Sequence, residues 1–196
     1  MPAASEGPAV QAVAFSGRGL NMLISLSEIM NSKSDTRDVD AAIGMDSFEY
    51  MGRSYSFSSR QPVRLSFSNA GTRTIRLIAG ITVSLSIPCD RCLEPVEYSF
   101  DISEDYKFIL DEAGDARTDE DDETVNYIHG YELDTDAFVR EELMIGFPMK
   151  VLCSEECKGI CTVCGANLNR GECGCDRTVL DPRMSIIRDL FRQKEV

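Results

Sequence analysis

The chain has little of what most enzymes, secreted proteins and membrane proteins are built on. Its 196 residues hold a single histidine, His129, so any Ser-His-Asp or Cys-His site would have to run through it. The residues that follow, Gly130-Tyr131-Glu132, make no nucleophile elbow. His129 reads instead as a hairpin residue at the surface or partly packed. No uninterrupted apolar stretch approaches the ~18–20 residues that a membrane helix needs, which excludes such a span. No Lys or Arg precedes Arg18, and Gln11 interrupts the short apolar run before it. A secretory signal needs a basic start and a longer apolar core. The expectation is therefore a cytoplasmic protein whose thiols are reduced or metal-bound. Gly17-Arg18-Gly19 lacks the third glycine of a dinucleotide-binding loop. The expected protein is not an enzyme.

The length fits one domain of ~100–200 residues, or one with a small appendage. Hydrophobic residues make up 43% and charged residues 27%, a composition able to form a core. The net charge of −13 is not spread evenly: residues 89–146 carry 19 acidic and 4 basic side chains, whereas 1–88 and 147–196 each carry 8 basic and 7 acidic. Such a segment repels phosphate backbones and attracts basic surfaces. Its densest part, 111–123, has eight acids and one Arg. It lacks the glycine of a calcium loop and reads as a solvated loop, or as a landing site for a cationic partner.

The pattern predicts an α+β fold: an antiparallel β-rich sheet or partly open barrel, a few helices and a C-terminal cysteine-rich zinc-binding module. Residues 1–21 read as a flexible tail, 22–150 as a β-rich domain, 151–180 as the cysteine module and 181–196 as a C-terminal helix. The clearest signal is Ile75, Leu77, Ala79, Ile81, Val83, Leu85 and Ile87, apolar at strict period two. Gly80 within it suggests a bend or bulge. A hairpin is expected at Pro88–Pro95, followed by a strand through Phe100 and a further one at Tyr106–Leu110. The polar stretch Asn31–Asp46 reads as a connecting loop. Another turn is expected near Gly130, then a helix capped by Asp134 or Asp136 and stopped by Pro148, with Phe138, Leu143 and Ile145 as core contacts. Asp181-Pro182 would open the last helix, with Met184, Ile187 and Phe191 on its apolar stripe.

Eight cysteines stand in two places: Cys89 and Cys92, then Cys153, Cys157, Cys161, Cys164, Cys173 and Cys175. A C-x2-C turn aims two sulfurs at one point, and a second pair completes a tetrahedral zinc site. Gly165, just after Cys164, leaves backbone amides room to face the thiolates. The preferred pairing is Cys161, Cys164, Cys173 and Cys175 for one ion, and Cys89, Cys92, Cys153 and Cys157 for another. Structural zinc, one or two ions, is favoured over reversible thiol redox chemistry and over stable disulfides. The C-x2-C-x2-C-x3-C-P run of iron–sulfur proteins is absent. Pro88-Cys89-Asp90-Arg91-Cys92 matches half of a zinc deaminase signature, but no His or Cys precedes it to supply the other half.

The run Ile87-Pro88-Cys89-Asp90-Arg91-Cys92-Leu93-Glu94-Pro95, with Leu152-Cys153, Cys157-Lys158-Gly159-Ile160-Cys161, Cys164-Gly165-Ala166-Asn167-Leu168-Asn169 and Asp181-Pro182-Arg183-Met184, resembles the YceD family of large ribosomal RNA subunit accumulation proteins. The likeness covers about residues 22–190, including 136–148, and its cysteine-rich ending resembles the branch that keeps the full C-terminal set. It implies a non-enzymatic role in accumulation of large-subunit ribosomal RNA and assembly of that subunit. It implies no catalytic residues, and carries the eight cysteines over as metal ligands. In many bacteria the family's gene neighbours that of a small basic large-subunit ribosomal protein. The expected partner is such a protein, held on the acidic surface. Direct contact with precursor ribosomal RNA through Arg64, Arg73 and Arg76 or the last helix is the alternative, and a zinc-releasing thiol sensor is a second. A plain scaffold outside ribosome biology is a third. No membrane is expected among the partners.

Overall fold

The structure is a computed structural model that describes residues 22–31, 36–118 and 124–176. The expected tail 1–21 and terminal helix 181–196 lie outside the described residues, as do residues 119–123 of the acidic stretch. The described residues form ten strands and two helices: β1 Leu23–Ser25, α1 Ser27–Asn31, β2 Arg37–Ala41, β3 Ser47–Tyr50, β4 Arg53–Arg60, β5 Val63–Gly71, β6 Thr74–Pro88, β7 Pro95–Leu110, β8 Ala116–Thr118, β9 Ile128–His129, β10 Glu132–Asp134 and α2 Thr135–Ile145. They group into two compact units, one drawn from Met1–Asp46, Gln61–Thr82 and Asp101–Met144, the other from Ser47–Arg60, Val83–Phe100 and Ile145–Val196. The long strands β6 and β7 give residues to both.

In the first unit β2, β5 and β6 run antiparallel, with Val39 opposite Leu65 and Leu65 opposite Ala79. The period-two pattern does what it predicts here: Ile75, Leu77, Ala79 and Ile81 are buried, while Arg76 and Ile78 face outward. A second sheet of order β1-β10-β9 turns between β9 and β10 at Gly130 and Tyr131. Helix α2 starts where Asp134 Oδ1 accepts the Ala137 N–H at 3.0 Å, satisfying a donor that the first turn cannot. Its Phe138, Val139 and Leu143 are fully buried, and Tyr127 and Tyr106 meet Phe138 edge-on. Gly114 passes so close to Tyr131 that a Cβ would lie 2.4 Å from its ring, and its φ is +87°.

In the second unit β3 and β4 form a hairpin with Phe48 opposite Tyr55, and β4 pairs with β6 through Phe57 and Leu85. Phe147 touches Phe48, Tyr50, Tyr55 and Phe100, which gives this unit an aromatic core. Among the described residues the run of strands closes on itself in neither unit, so the sheets are open rather than a closed barrel.

Four expectations change. The polar stretch 31–46 contains β2, whose Val39 and Ala41 turn inward while Asp38 and Asp40 stay exposed. Gly80 pairs regularly with Arg64, and the register shifts instead at Phe57/Ser59 and Asn69/Gly71. A Cβ there would meet the Arg64 guanidinium at 3.5 Å, an ordinary van der Waals contact. Tyr106–Leu110 is the end of the 16-residue β7, not a separate strand. Ile145, placed at the last position of α2, is 74% exposed rather than a core contact.

Candidate metal centres

Strand β6 delivers Cys89 into a tight turn: the Cys89 N–H donates to the Glu94 carbonyl at 2.8 Å, and the Leu93 N–H to the Cys89 carbonyl at 2.9 Å. Leu93 takes φ +61° there, and Cys92 swings back beside Cys89. The distant residues 151–157 are brought to this turn by its own side chains. Asp90 holds Val151, and Arg91 Nη1 donates to the carbonyls of Cys157 at 2.8 Å and Glu155 at 3.2 Å. Gly159 lets the chain pass close to the Arg91 carbonyl, which a Cβ would approach to 3.0 Å, with φ +78°.

The result is that the sulfurs of Cys89, Cys92, Cys153 and Cys157 all lie within 4.8 Å of one another. The Cys89–Cys157 and Cys92–Cys153 separations are 3.8 and 3.6 Å. A tetrahedron with metal–sulfur legs of ~2.3 Å has edges of about 3.8 Å, whereas a disulfide needs ~2.05 Å. The eight cysteines are free thiols. Cys161, Cys164, Cys173 and Cys175 form the second group, again within 4.8 Å. A turn closed by Gly165 N–H on the Cys161 carbonyl at 2.8 Å shapes it, with the Val163 N–H 3.4 Å from Cys161 Sγ. These are the groupings preferred from the spacing. Cys89, Cys92, Cys157 and Cys161 are buried, whereas Cys153 and Cys164 are exposed and Cys173 and Cys175 half-buried.

The electrostatics of each group fit a cation. Burial works against ionisation of Cys89, yet the N–H groups of Cys92, Arg91 and Cys153 outweigh it and bring the thiol down to about 6. The N–H groups of Cys164 and Val163 bring Cys161 down to about 6. The neighbours then suffer: Cys153, beside Cys157 and Cys92, is pushed up to about 12, and Cys175, beside Cys164 and Cys173, to about 12. Four sulfurs in such proximity cannot all ionise unaided, and a thiolate-binding metal ion removes that conflict. Both groups could hold metal ions. His129 belongs to neither; it is exposed on β9, 3.4 Å from Asp115 and 3.1 Å from the Asn126 carbonyl.

The sulfurs are supported by residues that the cysteine spacing does not point to. Asn169 Nδ2 donates to Cys157 Sγ at 3.2 Å, and Asn167 Nδ2 to Glu94 Oε1 at 3.1 Å. The signal was the pair of asparagines between Cys164 and Cys173.

Of the three arginines weighed as RNA contacts, Arg76 is held by both carboxylate oxygens of Asp105, at 2.8 and 2.5 Å. Arg73 lies 3.7 Å from Glu112. Arg64 lines an open groove of about 400 Å³ that also includes Asp38 and Asp40.

Fold and sulfur geometry together define an antiparallel β protein bearing two four-cysteine groups suited to metal ions. Residues 78–191 match the model of the family described as large ribosomal RNA subunit accumulation protein YceD. The chain belongs to that family. It is 27% identical over 137 residues to the uncharacterized protein YlbN of Bacillus subtilis (strain 168), an alignment covering 68% of this chain and 77% of that one. It is 33% identical over 67 residues to the chloroplastic large ribosomal RNA subunit accumulation protein YCED homolog 1 of Arabidopsis thaliana, covering 33% of this chain and 21% of the relative. No solved structure matches it. The family description supports a ribosome-related role. Among the described residues no helix is long and apolar enough to cross a membrane.

Proposed function

We propose that this protein is a non-enzymatic assembly factor of the large ribosomal subunit that supports accumulation of the large-subunit RNA by holding a basic ribosomal protein on its acidic surface. Two zinc ions, each bound by four thiolates, would act structurally: zinc fits all-sulfur tetrahedral sites and closes them, leaving no position open for substrate. We place it in the cytoplasm, where thiols stay reduced and ribosomes are assembled.

The observation that carries the choice of partner is the capture of Arg76 by Asp105. An arginine already gripped by a carboxylate is poorly placed to take a phosphate, and Asp101, Glu104, Asp111, Glu112, Asp115 and Glu132 of the same unit are all exposed. Burial raises the pKa of Glu142, and the charges of Glu104 and Glu141 raise it further, the mark of a negative field in this unit. Such a field speeds encounter with a cationic protein and opposes RNA.

A pull-down from lysate with and without RNase tests this. RNase-resistant recovery of a basic large-subunit ribosomal protein supports the reading. Loss of all ribosomal material on RNase treatment favours direct binding of precursor ribosomal RNA instead. The thiol-sensor alternative draws on the exposure of Cys164, and requires that mild peroxide eject zinc reversibly and change partner binding.

A further inference from the structure

The two cysteine groups are separate as ligand sets but not as pieces of chain. Asn169 lies in the segment between Cys164 and Cys173, so both ends of its loop are ligands of the second group. Yet its side chain serves the first group. The Lys158 N–H donates to Asn169 Oδ1 at 2.7 Å, which fixes the orientation of the amide, because only the oxygen can accept. The nitrogen must then face Cys157 Sγ, 3.2 Å away.

The same loop is clamped to the first group at further points. The Asn169 N–H donates to Asn167 Oδ1 at 2.9 Å. Asn167 Nδ2 and Arg170 Nη2 both donate to Glu94 Oε1, at 3.1 and 2.7 Å, two residues beyond Cys92. The Leu168 N–H donates to the Gly159 carbonyl at 2.9 Å, two residues beyond Cys157. A loop whose ends are closed by one metal is thus laid across both halves of the site for the other.

We infer that Asn169 is a positioning residue through which the second cysteine group controls how tightly the first holds its metal. This rests on the metal-binding reading above. An N–H directed at a metal-bound thiolate orients the ligand and tunes its donor strength, and partners of this kind typically contribute ~10–100-fold to metal affinity. Opening the second group frees the ends of the loop, withdraws Asn169 from Cys157 and weakens the first group without touching its ligands. The groups are therefore energetically coupled, and the coupling is reciprocal.

The full chain loaded with cadmium-113 provides the test, because each all-sulfur site gives its own NMR resonance; Cys89→Ser and Cys175→Ser assign the two. Asn169→Asp keeps an oxygen to accept the Lys158 N–H but cannot donate to Cys157. It should shift the first group's resonance, leave the second's in place and speed loss of the first ion to a chelator by about tenfold or more. Cys175→Ser should speed the same loss, and the double variant should lose the ion no faster than the faster single variant. Should Asn169→Asp fail to fold, as its backbone NMR spectrum would reveal, Asn169→Ala is read the same way. An unmoved first resonance with unchanged release overturns the inference while leaving metal binding intact. A chain that takes up no cadmium at all overturns the reading beneath it.

Discussion

Asp90 holds Val151 from two directions: its backbone N–H donates to the Val151 carbonyl at 2.9 Å, and its carboxylate Oδ2 accepts the Val151 N–H at 2.7 Å. This clasp joins residues 61 apart in sequence and carries Cys153 toward Cys89 and Cys92. Asp90→Ala leaves the Val151 N–H without its carboxylate acceptor, a loss of about 1–3 kcal/mol. Urea denaturation of the metal-loaded protein should show that loss, together with faster metal release to a chelator. Unchanged stability and release would mean the clasp follows from the metal site rather than shaping it.

Gly159 is required by both conformation and space, with φ +78° and the Arg91 carbonyl 3.0 Å from where a Cβ would sit. Gly159→Ala should cost more than about 1 kcal/mol and loosen the attachment of Cys157 to the turn at Cys89. Thermal melts and metal content after dialysis against a chelator measure this. Gly165→Ala gives a useful contrast, because it has φ +74° but nothing within 4 Å of a Cβ, so it should show strain alone.

Glu142 predicts a pH effect of defined sign. Burial raises its pKa above the ordinary 4.5, the Tyr106 hydroxyl bond at 2.8 Å counteracts this, and Glu104 and Glu141 raise it further, with the net shift upward. The folded state therefore holds this proton more tightly than the unfolded one. The stabilisation is complete below pH ~4.5 and is lost as pH rises through the folded value. Glu142→Gln stays neutral and can still accept from Tyr106. It should be more stable than the parent at pH 7, and the gap should close toward pH 4.5. Paired denaturation curves at several pH values test this, because acid effects on the cysteines are common to both proteins.

On the proposed reading, binding of a basic partner to the acidic surface should be salt-dependent, because the Debye length falls from ~10 Å at 0.1 M to ~3 Å at 1 M. Glu104→Lys and Asp101→Lys should lower recovery of a basic ribosomal protein in the RNase-treated pull-down, and the parent should release it as salt is raised. Retention at high salt would point to an apolar interface.

Where one face of an element is buried along its whole length, the sequence shows it: β6 was visible from Ile75 to Ile87, and the turn after Pro88 from its cysteines. Asp134 and Asp136 both announce α2, because a cap needs a side-chain oxygen, and the structure uses Asp134. Strand β2 was hidden because an edge strand of five residues needs little apolar surface, and only Val39 and Ala41 turn inward. Ile145 looked like core because its spacing fits the stripe, but it occupies the helix's last position and stays exposed. The spacing of the cysteines suggested which sulfurs meet. It could not place Asn169 against Cys157, a contact that depends on how the loop between Cys164 and Cys173 folds back.

Native mass spectrometry of the intact reduced chain, followed by thiol alkylation without denaturant, tests the metal centres most directly. Two zinc ions per chain are expected, with eight cysteines protected until a chelator removes the metal. A folded chain free of metal, with its thiols readily alkylated, would contradict it.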